Sequence, residues 1–230
     1  EGLEPRRSEV MERELEQLRT YYDISVKDVI CLDSSNIRPE EWQLIARHIF
    51  EDRAGYDGIV VSHGTDTMAY TAYAALVSNR GLVVDADVLP RRTGESKLLS
   101  DISKEVFLLK LTPGLNPAIF DMLAAMGYKG IVIEAFGLGG VNVLHRGLRG
   151  IHRCVEDGVS VVVTTQCLYD SADLQVYQVG SKLLELGVIQ GRDMTSEAAM
   201  TKLMWAIGQG MNPAQVSELF GQNLAGEVTI

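Results

Sequence analysis

The feature that most constrains the fold is the alternation of short apolar runs with amphipathic segments along the chain. The runs at residues 58–62, 130–133 and 159–164 have the composition of strands that are covered on both faces. Between such runs lie segments whose apolar residues recur at helical spacing, as at residues 39–50. Strands that alternate with helices favour parallel sheets with right-handed crossovers. The sequence therefore predicts an α/β fold.

Individual elements follow from the same patterns. The helix from residue 39 opens with Pro39-Glu40-Glu41, a favourable first turn. Asn116-Pro117, Thr195 and Asn212-Pro213 are further helix starts. We expect strands at residues 24–32, 58–62, 106–111, 130–133 and 159–164, and helices at 8–21, 39–50, 68–76, 118–126, near 144–157 and from Thr195 and Asn212. The expected buried face of the helix at 39–50 comprises Trp42, Leu44, Ile45, Ile49 and Phe50.

One stretch interrupts the alternation of apolar runs and amphipathic segments. Residues 75–106 supply only one short apolar run, at 81–84, followed by a polar segment. A long stretch with so little core material fits poorly inside one domain. We therefore expect an N-terminal α/β domain at residues 1–95 and a C-terminal α/β domain at 105–230, joined near residues 90–104.

Composition excludes several classes of function. The chain has 21 basic and 31 acidic residues, a formal net charge of −10, so nucleic acid is not expected as a partner. Its three cysteines lack metal-site spacing, which predicts free thiols in a reducing compartment. No apolar run approaches the length of a membrane span, and the polar N-terminus does not resemble a signal peptide. We expect an acidic cytoplasmic protein without a membrane partner or a metal site.

Ligands of open α/β sheets bind beyond the carboxyl ends of the strands. That rule selects four loops, at residues 33–36, 63–67, 136–140 and 165–167. The second loop is the most informative, because Gly64 permits close backbone approach, Thr65 offers a hydroxyl and Asp66 offers a carboxylate.

Each loop also has an ordinary structural explanation. Asp66 and Thr67 suit a helix N-cap, and residues 33–36 suit a turn. His63 fits a side chain whose hydrogen bonds are satisfied, and Cys167 fits a structural thiol. The glycines at 137–140 do not form a dinucleotide-binding fingerprint, and Tyr169, Asp170 and Asp173 suit a solvated loop. Spacing alone leaves these alternatives open.

A resemblance sharpens the choice. Residues 56–72, which contain HGTDTM, resemble the second signature of the L-asparaginase family over seventeen consecutive positions. Residues 32–37 resemble the family's substrate-carboxylate loop, and residues 164–167 and 193–203 resemble segments of its cytoplasmic, type I branch. The resemblance covers about residues 24–79 and 105–229. It implies a larger N-terminal domain with a flavodoxin/Rossmann-like parallel sheet and a smaller C-terminal α/β domain.

The resemblance also implies a chemistry. Family members hydrolyse L-asparagine, and some also L-glutamine, through an acyl-threonine intermediate, without metal or cofactor. Thr65 matches the threonine of the family's Thr-Asp-Lys group, and Asp66 matches the carboxylate that holds the substrate α-ammonium. Loop 63–67 also places Gly64 at the substrate, while Asp33, Ser34 and Ser35 would hold the substrate α-carboxylate.

Two further family properties concern regulation and assembly. Thr165, Gln166 and Cys167 match the loop where some type I enzymes bind a regulatory asparagine, although Glu134 stands where some relatives have an arginine. Family members are homodimers or homotetramers with active sites between subunits, so Tyr169 or Asp173 is a candidate for reaching a neighbour's site.

The chain departs from the family at two places. The TGGTI-like signature with the primary nucleophilic threonine is absent, and so is the segment with the catalytic lysine, expected near residues 79–81. Buried strands would lose their neighbours through such deletions, so we expect the sequence to omit parts of a longer chain. Two alternatives stay open: a catalytically silent amino-acid-binding homologue, and the amidase subunit of a tRNA-dependent amidotransferase. The acidic balance and the missing N-terminal add-on domain disfavour the amidotransferase alternative.

Overall fold

A computed structural model describes residues 15–71, 75–78, 81–84, 97–141 and 147–229. The chain divides into two units, Glu1–Thr71 and Ala72–Ile230, and each is described by itself. The parts of our sequence-based expectations that fall at residues 8–14, 79–80, 90–96 and 144–146 lie outside the described residues.

In chain order the elements are helices α1 (Pro39–Asp52) and α2 (Met68–Thr71), strands β1 (Ala75–Ser78), β2 (Gly81–Val84) and β3 (Val106–Lys110), helix α3 (Ala118–Ala125), strand β4 (Gly130–Ala135), helix α4 (Gly147–Glu156), strand β5 (Ser160–Thr165), helix α5 (Gln178–Glu185), strand β6 (Ile189–Gln190), and helices α6 (Ser196–Gly208) and α7 (Pro213–Phe220).

The second unit is built on a four-stranded parallel sheet with strand order β3-β4-β5-β6. The register pairs Val106 with Gly130 and Ile131 with Val161. Each strand is followed by a helix before the next strand begins, which is the βαβ pattern that the alternation predicts. The predicted strands at 106–111, 130–133 and 159–164 are therefore confirmed within one residue or two.

Both faces of this sheet are covered. Ile131 and Val161 pack into a core with Phe120 and Leu123 of α3 and Ile151 of α4. On the opposite face, α6 lies so close that a Cβ on Gly130 would sit 2.8 Å from Leu203 Cδ2. Strands covered on both faces read as continuous apolar runs, which is why β4 and β5 were visible in the sequence.

Helix starts in this unit follow the capping signals. The Thr195 hydroxyl accepts a hydrogen bond from Ala198 N at 3.2 Å, and Asn212 Oδ1 accepts one from Gln215 N at 3.0 Å. Asn116 Oδ1 accepts from Ala118 N at 3.0 Å, at the start of α3. These side chains satisfy amide groups that the first turn leaves unpaired, so the predicted starts are confirmed.

Four elements of the second unit, helix α5 and strands β1, β2 and β6, were not predicted, and one predicted helix was wrong in part. Helix α5 and the two-residue strand β6 were missed, because short elements with mixed composition have weak periodic signals. The helix expected at residues 68–76 is described over Met68–Thr71, but Ala75 and Leu76 lie in strand β1, which pairs antiparallel with β2, with Ala75 opposite Val84. Pairing between strands overrode the weak helical preference of this alanine- and leucine-containing segment.

The first unit contains helices α1 and α2 and short turns. Arg38 N donates to Glu41 Oε2 at 2.8 Å at the start of α1, which confirms the predicted helix. The predicted buried face of this helix is wrong, however: Trp42, Leu44, Ile45 and Phe50 are only partly buried, and Ile49 is exposed. Residues 15–18 form one helical turn of the segment predicted at 8–21.

The predictions of strands at residues 24–32 and 58–62 are wrong. Within residues 15–71 the structure assigns no strand, and Val60 is 96% exposed. An apolar run becomes a strand only where neighbouring strands accept and donate its backbone hydrogen bonds. Neither run has such a neighbour among the described residues, so the pattern alone did not suffice.

The α/β class itself is confirmed by the parallel sheet and its helices. The domain boundary near residues 90–104 stays a prediction. Within the described residues, no helix combines the length and the apolar character that crossing a bilayer requires.

Candidate active site

The structure brings two of the four predicted loops, 33–36 and 63–67, together at Ser34. Ser34 is 5% exposed and is the one buried residue in the described part of the first unit. Its hydroxyl oxygen accepts a hydrogen bond from Asp66 N at 3.3 Å. Its carbonyl oxygen accepts one from the Thr67 hydroxyl at 2.8 Å. The loops proposed to hold the two ends of an amino acid are thus adjacent.

Gly64 lies at the closest approach of these loops. A Cβ built on Gly64 would lie 2.6 Å from Ser34 Oγ and 2.7 Å from Ser34 Cβ. Contacts that short exclude any side chain at this position. Glycine is therefore required at residue 64 by lack of space.

Asp33 organises the turn that carries Ser34. Its Oδ1 atom accepts hydrogen bonds from Ser35 N at 2.8 Å and from Ser35 Oγ at 2.7 Å. The hydrogen bonds from the Ser35 hydroxyl and amide lower the pKa of Asp33, so the carboxylate is anionic at neutral pH. This arrangement confirms the predicted turn at residues 33–36, which forms a 3₁₀ turn over Ser34–Asn36.

Thr65 and Asp66 are both exposed. Among the residues that the structure describes, neither the Thr65 hydroxyl nor the Asp66 carboxylate makes a hydrogen bond. The Thr67 hydroxyl donates to Ser34 instead of capping α2. The capping interpretation of Asp66 and Thr67 is therefore not what the described contacts show. A hydroxyl and a carboxylate on consecutive exposed residues are available to a ligand.

His63 has both ring nitrogens engaged, which confirms the prediction of a satisfied side chain. Nδ1 lies 2.6 Å from the Gly64 carbonyl oxygen, and Nε2 lies 3.0 Å from Thr71 Oγ1. Trp42 Nε1 donates to the same hydroxyl oxygen at 3.0 Å. The sequence placed Trp42 on an apolar face and offered no signal for this link across 29 residues.

The loop at residues 165–167 belongs to the second unit and ties the carboxyl edge of its sheet together. Gln166 Nε2 donates to Leu111 O at 2.8 Å and to Glu134 O at 2.9 Å. The Thr165 hydroxyl donates to Gly137 O and accepts from Cys167 N. The effector-binding role predicted for these residues stays a prediction.

Glu134 and Tyr169 flank this edge of the sheet. The Glu134 carboxylate pairs with Lys110 at 3.2 Å, so this acidic side chain is already engaged. Tyr169 is fully exposed, in agreement with the predicted solvated loop.

None of Cys31, Cys154 and Cys167 forms a disulfide, in agreement with the predicted thiols. Burial raises the pKa of the Cys154 thiol to about 11, which makes that thiol unreactive at neutral pH. Within the described ranges, no group of three or more His, Cys, Asp or Glu residues is arranged to hold a metal ion.

The fold and these loops define an α/β protein in which a turn with a buried serine contacts a loop that carries an exposed hydroxyl and an exposed carboxylate. Family models match both parts of the chain. The model described as "Asparaginase, N-terminal" covers residues 2–82, and "Glutaminase/Asparaginase C-terminal domain" covers residues 105–220. The chain belongs to the asparaginase family.

Individual relatives agree with this assignment. The L-asparaginase of Thermococcus kodakarensis is 31% identical, over 90% of this chain and 86% of the relative. A glutamyl-tRNA(Gln) amidotransferase subunit of Aeropyrum pernix is 29% identical, over 93% of this chain and 71% of the relative. The solved structure of the thermostable L-asparaginase from T. kodakarensis superposes with a TM-score of 0.80 at 28% identity, covering 94% of this chain and 91% of the other.

One detail of these alignments concerns length. The alignment with the Thermococcus relative extends over 284 residues, whereas the present sequence has 230. The relative therefore contains internal residues without a counterpart here. This difference agrees with the sequence-based expectation that an internal segment is missing.

Proposed function

We propose that the chain is an L-asparagine amidohydrolase, which converts asparagine and water to aspartate and ammonia through an acyl-threonine intermediate. The observation that carries the proposal is the meeting of loops 33–36 and 63–67 at Ser34, with Thr65 and Asp66 exposed beside it. Family membership and the L-asparaginase of Thermococcus kodakarensis support an amide substrate.

The loops offer complementary groups to the two charges of an amino acid. The Asp66 carboxylate would pair with the α-ammonium group. Because Ser34 Oγ accepts its hydrogen bond from Asp66 N, the Ser34 hydroxyl proton remains available to donate to the α-carboxylate. Asp33 already accepts both hydrogen bonds from Ser35, so its contribution would be to hold the turn in place.

The reaction divides into two steps. In the first, a threonine hydroxyl adds to the side-chain amide carbonyl, and ammonia leaves with the transferred proton. In the second, water attacks the resulting ester and regenerates the hydroxyl. Thr65 is the residue to which we assign attack and proton transfer in this chain.

A second candidate is the amidase subunit of a tRNA-dependent amidotransferase. It is favoured by the similarity to the glutamyl-tRNA(Gln) amidotransferase subunit of Aeropyrum pernix. An amidase of that kind would deliver ammonia to a partner, and charged tRNA would stimulate its activity. The net charge of −10 disfavours direct contact with tRNA by this chain.

Four further expectations complete the proposal. We propose domains at residues 1–95 and 105–230, a homo-oligomer with active sites between subunits, action in the cytoplasm, and an effector site at Thr165, Gln166 and Cys167. Light scattering on the purified protein tests the oligomer. An asparagine saturation curve for Gln166→Ala against the wild type tests the effector site.

The decisive experiment measures ammonia release from asparagine and from glutamine, with and without glutamyl-tRNA(Gln), for the wild type and Thr65→Ala. We expect asparaginase activity without tRNA and a loss of about a thousandfold or more in Thr65→Ala, because removing a member of the group that serves attack and proton transfer leaves only binding to stabilise the transition state. Thr201→Val is the matched control, since the Thr201 hydroxyl donates only to carbonyls of its own helix, Glu197 O and Ala198 O.

Three outcomes would overturn the proposal. Near-normal turnover in Thr65→Ala would refute the assigned role of Thr65. Activity that requires tRNA would favour the amidotransferase alternative. Calorimetric binding of asparagine or aspartate by the wild type, without ammonia release, would identify a catalytically silent homologue.

A further inference from the structure

The His63 ring links the loop that carries Thr65 to two helices. Its Nδ1 atom contacts the Gly64 carbonyl oxygen at 2.6 Å, and its Nε2 atom contacts Thr71 Oγ1 at 3.0 Å. Thr71 lies in α2, and the Trp42 indole that reaches its hydroxyl belongs to α1. His63, Trp42 and Thr71 are all partly buried.

The chemistry of the partners determines the direction of each hydrogen bond. A carbonyl oxygen only accepts, so His63 Nδ1 carries a proton and donates to Gly64 O. In the neutral imidazole the other nitrogen then accepts, so the Thr71 hydroxyl donates to His63 Nε2. The indole only donates, so Trp42 Nε1–H donates to Thr71 Oγ1.

The Thr71 hydroxyl has a single proton and two candidate acceptors. Thr67 O lies 3.4 Å away, whereas His63 Nε2 lies 3.0 Å away, so the shorter contact takes the proton. The result is a one-directional chain that runs from Trp42 through Thr71 and His63 to the Gly64 carbonyl group. In this chain, each donor determines which atom of the next residue accepts and which donates.

We infer that His63 is a positioning residue, held as the Nδ1–H tautomer by Thr71 and Trp42, which fixes the Gly64 carbonyl and so the backbone that presents Thr65. Neither ring nitrogen is left to exchange a proton with a substrate, so His63 is not a general acid or base. The predicted effect on activity rests on the proposed amidohydrolase function, whereas the tautomer does not.

The activity test removes one hydroxyl and then restores it. Thr71→Val keeps the side-chain shape but leaves His63 Nε2 without its donor, and Thr71→Ser restores a hydroxyl. We expect kcat for asparagine to fall about fivefold to tenfold in Thr71→Val, with KM changed by less than about twofold, because one hydrogen bond that orients the loop is lost. Thr71→Ser should recover most of kcat, and Thr201→Val, which loses a hydroxyl remote from this loop, should match the wild type.

A spectroscopic test works without any activity. Long-range ¹⁵N–¹H NMR at pH 8 distinguishes the tautomers of the four histidines, and the spectrum of His63→Gln assigns the His63 signals. We expect a protonated Nδ1 and an unprotonated Nε2 in His63, with the Nε2 shift moving in Thr71→Val and returning in Thr71→Ser. Trp42→Phe, which removes the indole donor, should move the same signal less.

The two tests separate the possible failures. The Nδ1–H tautomer in an inactive wild type would overturn the proposed function and support the positioning role of the ring. The Nε2–H tautomer, or an Nε2 shift that is insensitive to Thr71→Val, would overturn the positioning role whatever the activity. A loss in Thr71→Val that Thr71→Ser does not rescue would likewise contradict it.

Discussion

Two apolar triplets with nearly the same composition end in opposite environments. Ile131, Val132 and Ile133 in strand β4 are 0% exposed, whereas Ile59, Val60 and Val61 are 41%, 96% and 44% exposed. Strand β4 has β3 and β5 as hydrogen-bonded neighbours and helices on both faces. The triplet at residues 59–61 has no strand partner in the described part of the chain.

The same contrast runs through the two units. Among the described residues between 97 and 229, the strands of the sheet and the helices around it contribute many buried apolar side chains, while between 15 and 71 only Ser34 is buried. The candidate catalytic groups lie between residues 15 and 71, on loops that a ligand can reach. The buried apolar residues and the exposed candidate catalytic residues thus occupy different parts of the chain, in the way that loops on a scaffold commonly carry function.

An ion pair in each unit provides the strongest test of this contrast. Lys202 and Glu227 have side chains only 5% and 7% exposed, whereas Lys27 and Asp52, 2.7 Å apart, are 53% and 36% exposed. Lys202→Met leaves a buried carboxylate without its cation, and we expect the free energy of unfolding to fall by about 3 kcal/mol. Lys27→Met removes an exposed pair and should change stability little.

Urea denaturation followed by circular dichroism measures both variants under the same conditions. Glu227→Met combined with Lys202→Met should recover part of the loss, because no charge then remains buried. Equal losses for the two single variants would show that burial does not distinguish the two ion pairs.

Close approach of backbone to side chain gives the next test. Gly64→Ala would push a methyl group against Ser34 and separate the loops at 33–36 and 63–67. We expect kcat/KM for asparagine to fall about a hundredfold, the order of loss caused by misplacing a site by about 1 Å. Gly58→Ala is the matched control in the same unit, because nothing lies within 4 Å of the position that its new Cβ atom would take. Comparable activity in the two variants would disprove the steric requirement at Gly64.

The smallest expected effect concerns pH. Burial opposes the ionisation of Glu227, but hydrogen bonds from Lys202 and from the Ala225 and Leu224 amides outweigh it and lower the pKa of this carboxyl group. A depressed native pKa contributes stability above the unfolded value of 4.5, and that contribution is lost as pH falls through the native pKa. Urea midpoints of the wild type should therefore decrease between about pH 5 and pH 3, and less steeply in Glu227→Gln. If the urea midpoints of the wild type and of Glu227→Gln decreased equally steeply with falling pH, Glu227 would not be the source of the pH dependence.

Local signals account for what could be predicted of the fold. Thr195 and Asn212 cap α6 and α7 because their side chains reach amides three residues away, a contact that any helix start supplies. Helix α5 and strand β6 carry no comparable signal, and the run at 58–62 carried a misleading one. An apolar run indicates that a segment prefers burial, but it does not indicate whether another segment is present to cover it.

The candidate site shows the same limit. The carboxyl-end rule and the resemblance to asparaginases selected Ser34, Thr65 and Asp66, and the structure places their loops in contact. The link from Trp42 through Thr71 to His63 could not be predicted, because it joins residues whose sequence spacing has no regular period. Only folding shows which donor meets which acceptor.

The sequence by itself determined the α/β class, strands β3, β4 and β5, the helix caps of the second unit, and the family, since these depend on periodicity, on capping contacts within a few residues and on uninterrupted motifs. The tertiary structure alone decided that Ser34 is buried between two loops, that Gly64 has no room for a side chain, and that the apolar run at 59–61 is exposed. Burial and hydrogen-bond pairing are properties of two segments at once, and no single segment of sequence specifies its partner.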